Sequence, residues 1–456
     1  MKKIILTFFT TFALINANEP ISLNDALKIL NNQNLEIKAA DLDVKAAEEK
    51  VDSVSGNNWG KIDLIQDVAN SDSAGNVFGF KLESREANFG DFGFSEFLPC
   101  MSATPPASCN NPLTISPKDL NYPDSRTYYQ TKLKYELPIF TGFQISSYTD
   151  IMESMAKIKK LDKDKVINEK VYQLKKSYYD MALLENSIKN LQVVLNNINK
   201  LENMIVNMID VGYAKKTDLL EIQAKKGDVE RLISQMNYNK DLLYHFLGFL
   251  LNQKVESIVV PEQNIQMPAL DDSTILKNNL DIQKAATGLK IRESMVDVEQ
   301  SSFYPMVGAF AEISTADDKF MGDASEHKAY TVGARLTWNI FNGGVDYSKV
   351  QEAKIEKLKT KSQVELARHG IKLKIAKLRT EIETQDAEIA FLEKELKLAN
   401  EIYKNYEERY KEKLSSMSDV IIKQSSQIQK ILELQVAQNK RNERIFALIK
   451  LANGDK

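Results

Sequence analysis

Leu137-Pro138-Ile139-Phe140-Thr141-Gly142 recurs 201 residues later as Trp338-Asn339-Ile340-Phe341-Asn342-Gly343 (Phe140 to Phe341). The same interval separates Lys216-Thr217-Asp218-Leu219-Leu220 from Met417-Ser418-Asp419-Val420-Ile421 (Asp218 to Asp419). Each half of the chain therefore counts 78 residues from its Phe-x-Gly turn to its Asp site, without a gap (Phe140 to Asp218, Phe341 to Asp419). A third pair, Asn34-Leu35-Glu36-Ile37 and Asn279-Leu280-Asp281-Ile282, lies 245 apart (Asn34 to Asn279). The surplus of 44 residues in that interval, 245 against 201, falls between two strands of the first half. It matches residues 71–125, a stretch rich in Gly, Pro, Asn and aromatics with no helical period, which reads as a long loop. The equivalent connection in the second half, Ala316 to Lys328, is short.

Working outward, the segments before the two turns alternate with period two. Tyr330, Val332, Ala334, Leu336, Trp338 and Ile340 fall on one face, and Thr331, Gly333, Arg335, Thr337 and Asn339 on the other. Tyr129 to Ile139 alternate likewise, with Lys132, Lys134 and Glu136 on the charged side. Lys61 to Val68 and Phe303 to Ile313 are their expected partners, giving two β-hairpins, residues 59–140 and 303–341. After each turn the period changes to steps of three and four. One seam runs Leu174, Tyr178, Met181, Leu184, Ile188, Leu191 and on to Met208; its counterpart runs Ile371, Ile375, Leu378, Ile382 and on to Tyr410. Such narrow seams are coiled-coil signals. A helix of about 65 residues is about 100 Å long.

The fold class expected is mainly α with a β-barrel part. The chain is internally duplicated, with long coiled-coil helices and two β-hairpins supplying four strands. The expected division is a signal peptide over 1–17, a first repeat over 18–262 with long helices over 145–250, and a second over 263–456 with long helices over 345–452. The signal peptide is read from Met1-Lys2-Lys3, the apolar run Ile4 to Ile15, and Asn16-Ala17-Asn18, with cleavage after Ala17; a retained anchor is the alternative.

Composition narrows the function classes. Mean hydropathy is −0.34 and 27% of residues are charged. No apolar run of about 18 residues follows the N-terminus, which excludes a helical membrane protein and leaves only β-structure to span one. Four strands cannot close a barrel, and an open amphipathic sheet is unstable in water and unsatisfied in lipid. Closure has to come from several chains. A formal net charge of −3 argues against nucleic acid as a partner. His245, His327 and His369 have no ligand-spaced neighbours, so no metal or cofactor is expected, and no nucleophile and base converge as an enzyme requires. Cys100 and Cys109 share one Pro- and Asn-rich segment; a small disulfide loop is expected, two free thiols being the plainer alternative.

The order of helix, hairpin, Phe-x-Gly turn, very long helix, Thr/Ser-Asp site and return helix, given twice, resembles the TolC-like outer membrane efflux proteins. Tyr135-Glu136-Leu137-Pro138-Ile139-Phe140-Thr141-Gly142, Phe341-Asn342-Gly343-Gly344, and Val211-Gly212 ahead of Asp218 carry the resemblance. It implies a homotrimer whose three chains form a 12-stranded barrel in outer-membrane lipid, continued by an α-helical tunnel across the periplasm. A periplasmic adaptor protein and an inner-membrane pump would dock at the tunnel tip, and cargo would leave chemically unchanged. A structural periplasmic coiled-coil protein without a channel is the competing class.

The same resemblance assigns candidate residues. Family members close the tip with tyrosine, arginine and aspartate contacts; here Tyr410 and Asp419 match, while the basic position falls on Ser415, a second acidic position on Ile422, and the usual glycine on Lys413. Asp218 and Glu221, one turn apart, are an alternative acidic ring, with Lys215, Lys216 or Lys413 as the cation. Helix capping accounts for the same residues, since Asp218 with Glu221 and Ser416 with Asp419 have capping-box spacing. Lys132, Lys134, Glu136 and Arg335 are lumen-lining candidates. Gly142, Gly343 and Gly344 are read as strand-to-helix turns.

Overall fold

The computed structural model describes residues 20–107, 109, 111–261, 265–320, 322–323 and 325–454; the expected signal peptide, 1–17, lies outside the described residues. The first repeat runs α1 (Leu23–Gln33), α2 (Leu35–Ser55), β1 (Lys61–Ser71), α3 (Ala74–Glu83), α4 (Phe94–Cys100), α5 (Lys118–Asn121), β2 (Arg126–Phe140), α6 (Gln144–Asp210) and α7 (Lys216–Leu251). The second runs α8 (Asp272–Asn278), α9 (Leu280–Gln300), β3 (Met306–Asp317), β4 (Lys328–Thr337), α10 (Val345–Lys411) and α11 (Met417–Leu451). Both long helices, α6 and α10, contain 67 residues. The chain divides into two compact units, Met1–Ala47 with Ser154–Leu289 and Lys359–Lys456, and Glu48–Glu153 with Lys290–Leu358.

In the first unit the apolar seams are the core. Leu191, Ile198, Leu201 and Ile205 of α6 pack with Ile222 and Val229 of α7, Tyr403 and Tyr410 of α10, and Val420 and Ile428 of α11. A second cluster joins Leu30 of α1, Leu174, Tyr178 and Met181 of α6, and Leu247 and Leu250 of α7. Its counterpart in the other repeat joins Ile275, Ile375, Leu378, Ile382, Ile445 and Leu448. Residues three and four apart share a helix face, so one stripe on each helix is dry while its other faces keep their charges in water.

Each Asn-Leu-Glu/Asp-Ile motif marks a break between two helices, α1 and α2 in one repeat and α8 and α9 in the other. Asn34 ends α1 with an extended ψ of 127°. Its side-chain Oδ1 then accepts from the backbone N–H of Glu36 at 3.0 Å and Ile37 at 3.1 Å, capping α2. Its Nδ2 donates to the Leu250 carbonyl at 2.8 Å, fastening the break to the end of α7. Asn279 repeats the set with Asp281, Ile282 and the Leu451 carbonyl, all at 3.1 Å. An asparagine is selected because one side chain must accept twice and donate once.

The second unit contains one antiparallel sheet in the order β1-β2-β3-β4, so the two hairpins join through β2 and β3. Residues 71–125, read from sequence as a loop without helical period, instead fold into α3, α4 and α5 with a Cys100–Cys109 disulfide. These helices are ten, seven and four residues long, too short to display a periodic stripe. Packing of α3 on β2 and β3 holds the first of them, and α5 packs on α3. The second hairpin stops at Thr337, and Trp338 turns its Nε1 to donate to the Phe303 carbonyl at 3.1 Å.

Asn34→Ala deletes three hydrogen bonds and orphans the buried Leu250 carbonyl. It is expected to cost about 1–3 kcal/mol in guanidinium unfolding of the detergent-solubilised protein, whereas Asn32→Ala, at an exposed position, leaves the midpoint where it was.

Candidate functional site

Directly opposed residues of a sheet share a face, so the registers assign every side chain. Leu64 opposes Leu133, Leu133 opposes Ile313, and Ile313 opposes Tyr330. This face is apolar and uncovered: Leu64 is 74% exposed, Val332 72% and Leu336 64%. Among the described residues β1 and β4 each pair on one side only, leaving two open edges. Tyr135 and Trp338 lie at the end of the sheet that adjoins the helices, and Tyr330 towards the other end. Among the described residues no helix is long and apolar enough to cross a membrane.

The other face is charged. Lys132, Lys134 and Glu136 of β2 oppose Ile65, Asp63 and Lys61 of β1. Lys134 and Lys61 reach Glu136 at 2.6 and 3.4 Å, and Lys132 reaches Asp67 at 3.8 Å. Arg335 opposes Gly308 and shares a groove with Lys134, Glu136 and Glu312. The four expected residues thus lie on one surface. Lys61, Asp63 and Asp67 were not singled out from sequence because Ile65 interrupts the alternation of β1; only the pairing with β2 reveals their face.

At the strand-to-helix turns the chain adopts left-handed backbone at Gly142 (φ 61°), Gly343 (φ 71°) and Gly344 (φ 83°). A Cβ on Gly142 would lie 2.6 Å from the Ser301 carbonyl oxygen, so close approach as well as φ requires glycine. Phe143, at the position corresponding to Gly344, takes the same conformation with φ 68°. Its ring meets Phe140 and Tyr304 edge-on at 5.2 and 5.8 Å, contacts that offset the strain.

The tips between α6 and α7 and between α10 and α11 follow the same logic. Gly212 has φ 77°, and Lys413, its equivalent 201 residues on, has φ 63°. Lys413 places its Nζ 3.3 Å from the centre of the Tyr213 ring, a cation–π contact between the two repeats. Tyr410 donates its hydroxyl to Asp218 Oδ2 at 3.1 Å, a second contact between the repeats. Burial, then the charge and hydrogen bond of Asp218, push the Tyr410 phenol above its ordinary value of 10.0. Glu221 adds its charge to that effect but is exposed.

Asp419 does not meet Tyr410. Its Oδ2 accepts from Ser416 Oγ at 2.6 Å and Ser416 N at 3.0 Å, a capping box that lowers its pKa. Ser415 donates to the Tyr406 carbonyl at 3.2 Å and closes the turn. The ring of Tyr406 lies between Arg409, 5.6 Å away, and Lys423, 5.2 Å away. Those two cations also act on Asp419. Arg409, Tyr213 and Lys423 carry no expectation from sequence, and Tyr406 reads there only as a seam residue; the signal available was Arg409 one residue before Tyr410, at the end of the seam.

Residues 273–454 match the family model for outer membrane efflux proteins. The fold of the whole chain is also that of solved outer-membrane channels. CusC, described for conformational changes accompanying folding and transmembrane channel formation, aligns with a TM-score of 0.76 and 13% identity, over 94% of this chain and 91% of its own. The outer membrane protein VceC of Vibrio cholerae aligns at 0.74 and 17% identity, over 95% and 96%. The CmeC outer membrane channel of Campylobacter jejuni aligns at 0.73 and 14%, over 95% and 85%. No curated protein matches the chain in sequence.

Tyr410 and Lys413 lie within the matched residues, in the second repeat, and the first repeat supplies Asp218 and Tyr213 opposite them. Glu86, Asp317 and Asp318 form a carboxyl trio in the sheet unit; Glu86 is ion-paired with Arg126, and Asp317 accepts from the backbone of Lys319 and Asp323.

Tyr410→Phe keeps the ring in the seam and removes only its bond to Asp218. Loss of about 1 kcal/mol is expected to speed amide hydrogen exchange roughly fivefold at the tip and to leave exchange around α1 unchanged. The raised phenol pKa fixes the pH sense: folded Tyr410 holds its proton more tightly than the unfolded chain does. Its contribution is complete below pH 10.0 and falls as pH rises beyond it. Tyrosinate absorbance of wild type against Tyr410→Phe is expected to show that the residue removed is one ionising above the bulk of the tyrosines.

Proposed function

We propose that the chain is one protomer of an outer-membrane exit duct. It conducts passively, in a homotrimer, what an inner-membrane pump and a periplasmic adaptor deliver. The observation that supports this reading is the uncovered apolar face of a sheet with two open edges. Leu64, Leu133, Ile313, Val332 and Leu336 have nothing over them. Transferring each into hydrocarbon gains roughly 1.5–3 kcal/mol, on the order of 10 kcal/mol together. That is comparable to the whole stability of an ordinary domain, so the face requires a lipid environment. Lipid in turn forbids open edges, because unpaired backbone N–H and C=O groups find no water there. Three copies supply twelve strands and remove both edges of each.

The charged face then lines a wet bore, and the long helices form the periplasmic part. Lys132, Lys134, Glu136 and Arg335 tune what passes. At the tips, Asp218, Glu221 and Asp419 from three protomers form acidic rings, which favour cations and hold divalent ions as blockers. The cation–π contact of Lys413 and the Tyr410–Asp218 bond tie the two repeats together in the closed tip.

Heat-modifiable trimers in outer-membrane extracts are the expected outcome; monomers in periplasmic fluid would instead indicate a coiled-coil protein without a channel. In planar bilayers the wild type is expected to give small cation-selective steps. Asp218→Ala with Asp419→Ala is expected to weaken block by divalent ions, and unchanged block would remove the acidic-ring assignment.

A further inference from the structure

We propose that the segment between β1 and β2 narrows the outer mouth of the duct and sets the size of molecule that can enter from outside. This rests on the duct reading, since it requires the charged face to line the bore. The segment leaves the sheet at Ser71 and returns at Arg126, which are cross-strand partners at the end away from the long helices. A turn of about two to five residues would suffice there. The chain instead spends residues 72–125, and α3 does not stand clear of the sheet.

It lies on the charged face. Arg126, Tyr128 and Gln130 alternate in register with Lys132, Lys134 and Glu136, so all six side chains share one side of β2. Phe80 of α3 stacks on Tyr128 with ring centres 4.2 Å apart and planes within 12°. Glu83 accepts from the Tyr128 hydroxyl and from Gln130 Nε2, and Arg126 pairs with Glu86 and donates to Ser84 Oγ. These attachments are dry: Val77 is 2% exposed, Ser84 0% and Tyr128 5%. Lys81 pairs with Asp91, and the Cys100–Cys109 disulfide closes the next turn of chain, so the segment is tied to itself as well as to the strand.

Anything seated on that face is inside the cylinder once three sheets close. Eight strands leave room only for side chains, and sixteen to eighteen leave an aqueous channel; twelve fall between. A helix with its side chains is about 10–12 Å across. Three copies of α3, one on each third of the inner wall, fill most of such a bore. Among the described residues the β3–β4 connection holds no helix, so the exclusion size at the mouth is a property of this segment.

The test uses whole cells carrying the full-length protein with Lys134→Cys, four residues beyond Gln130, the last α3 contact on the same face; the native cysteines are bonded to each other and do not compete. Cells are treated from outside with a small cationic methanethiosulfonate or with a maleimide on a long polyethylene glycol chain. The small reagent is expected to label the full-length protein and the bulky one not. Replacing residues 74–121 by a short Gly-Ser linker is expected to remove that protection, and Phe80→Ala with Glu83→Ala, which leaves the chain length intact, is expected to remove it too. Bulky labelling of the full-length protein, or continued protection in both variants when they run as heat-modifiable trimers, overturns the constriction and leaves the duct standing. Leu133→Cys, on the apolar face, separates the two ideas: labelling there by both reagents would put that face in water and overturn the duct itself.

Discussion

A sheet that is apolar on one side, charged on the other and open at both edges has no stable surroundings as a single copy. Water leaves Leu64, Val332 and Leu336 uncovered, and lipid leaves the outward backbone groups of β1 and β4 unpaired. Every other part of the chain is arranged around that constraint. The Phe-x-Gly turns hand each hairpin to a long helix through left-handed backbone, and the seams of α6 and α10 bury their apolar stripes against α7 and α11. The duplication supplies two hairpins in one chain, and β2 pairs with β3 to weld them into one sheet.

The two repeats are equivalent in backbone and different in chemistry. Where one turn has Gly344, the other holds Phe143 in the same left-handed region; where one tip has Gly212, the other holds Lys413. Each non-glycine residue there costs on the order of 1 kcal/mol, and each makes a contact that glycine cannot, Phe143 with Phe140 and Tyr304, Lys413 with Tyr213. Asp218 and Asp419 stand at the same repeat position but have different partners. Each caps its own helix, Asp218 through the Lys215 N–H and Asp419 through Ser416, but Asp218 also accepts from Tyr410. Divergence after duplication has converted a symmetric pair of turns into a tip held by contacts between unlike halves.

Most of the candidate surfaces were legible because they are periodic. Lys132, Lys134 and Glu136 step by two and share a face; Leu174, Tyr178 and Met181 step by four and three and share a core. What failed to show was whatever lacked a period or depended on a distant partner. Ile65 broke the alternation of β1 and concealed Asp63 and Asp67. The helices of residues 74–121 were too short to write a stripe, and α3 is held by Tyr128 and Gln130, on a strand it precedes. Asn34 and Asn279 were visible as a repeated word, but their role required the carbonyls of Leu250 and Leu451.

The sequence alone determined the class of architecture: two copies of a hairpin followed by a very long helix and its return, a sheet with unlike faces, and no apolar helix to anchor it. These follow from local periodicity, which depends only on near neighbours along the chain, and the last of them holds for the chain after its N-terminal apolar run, Ile4 to Ile15. Tertiary structure alone decided which carboxylate Tyr410 meets, which ring Lys413 covers, and that α3 lies on the charged face of β2. Such pairings join residues tens to hundreds of positions apart, and no periodicity along the chain encodes the distance between them.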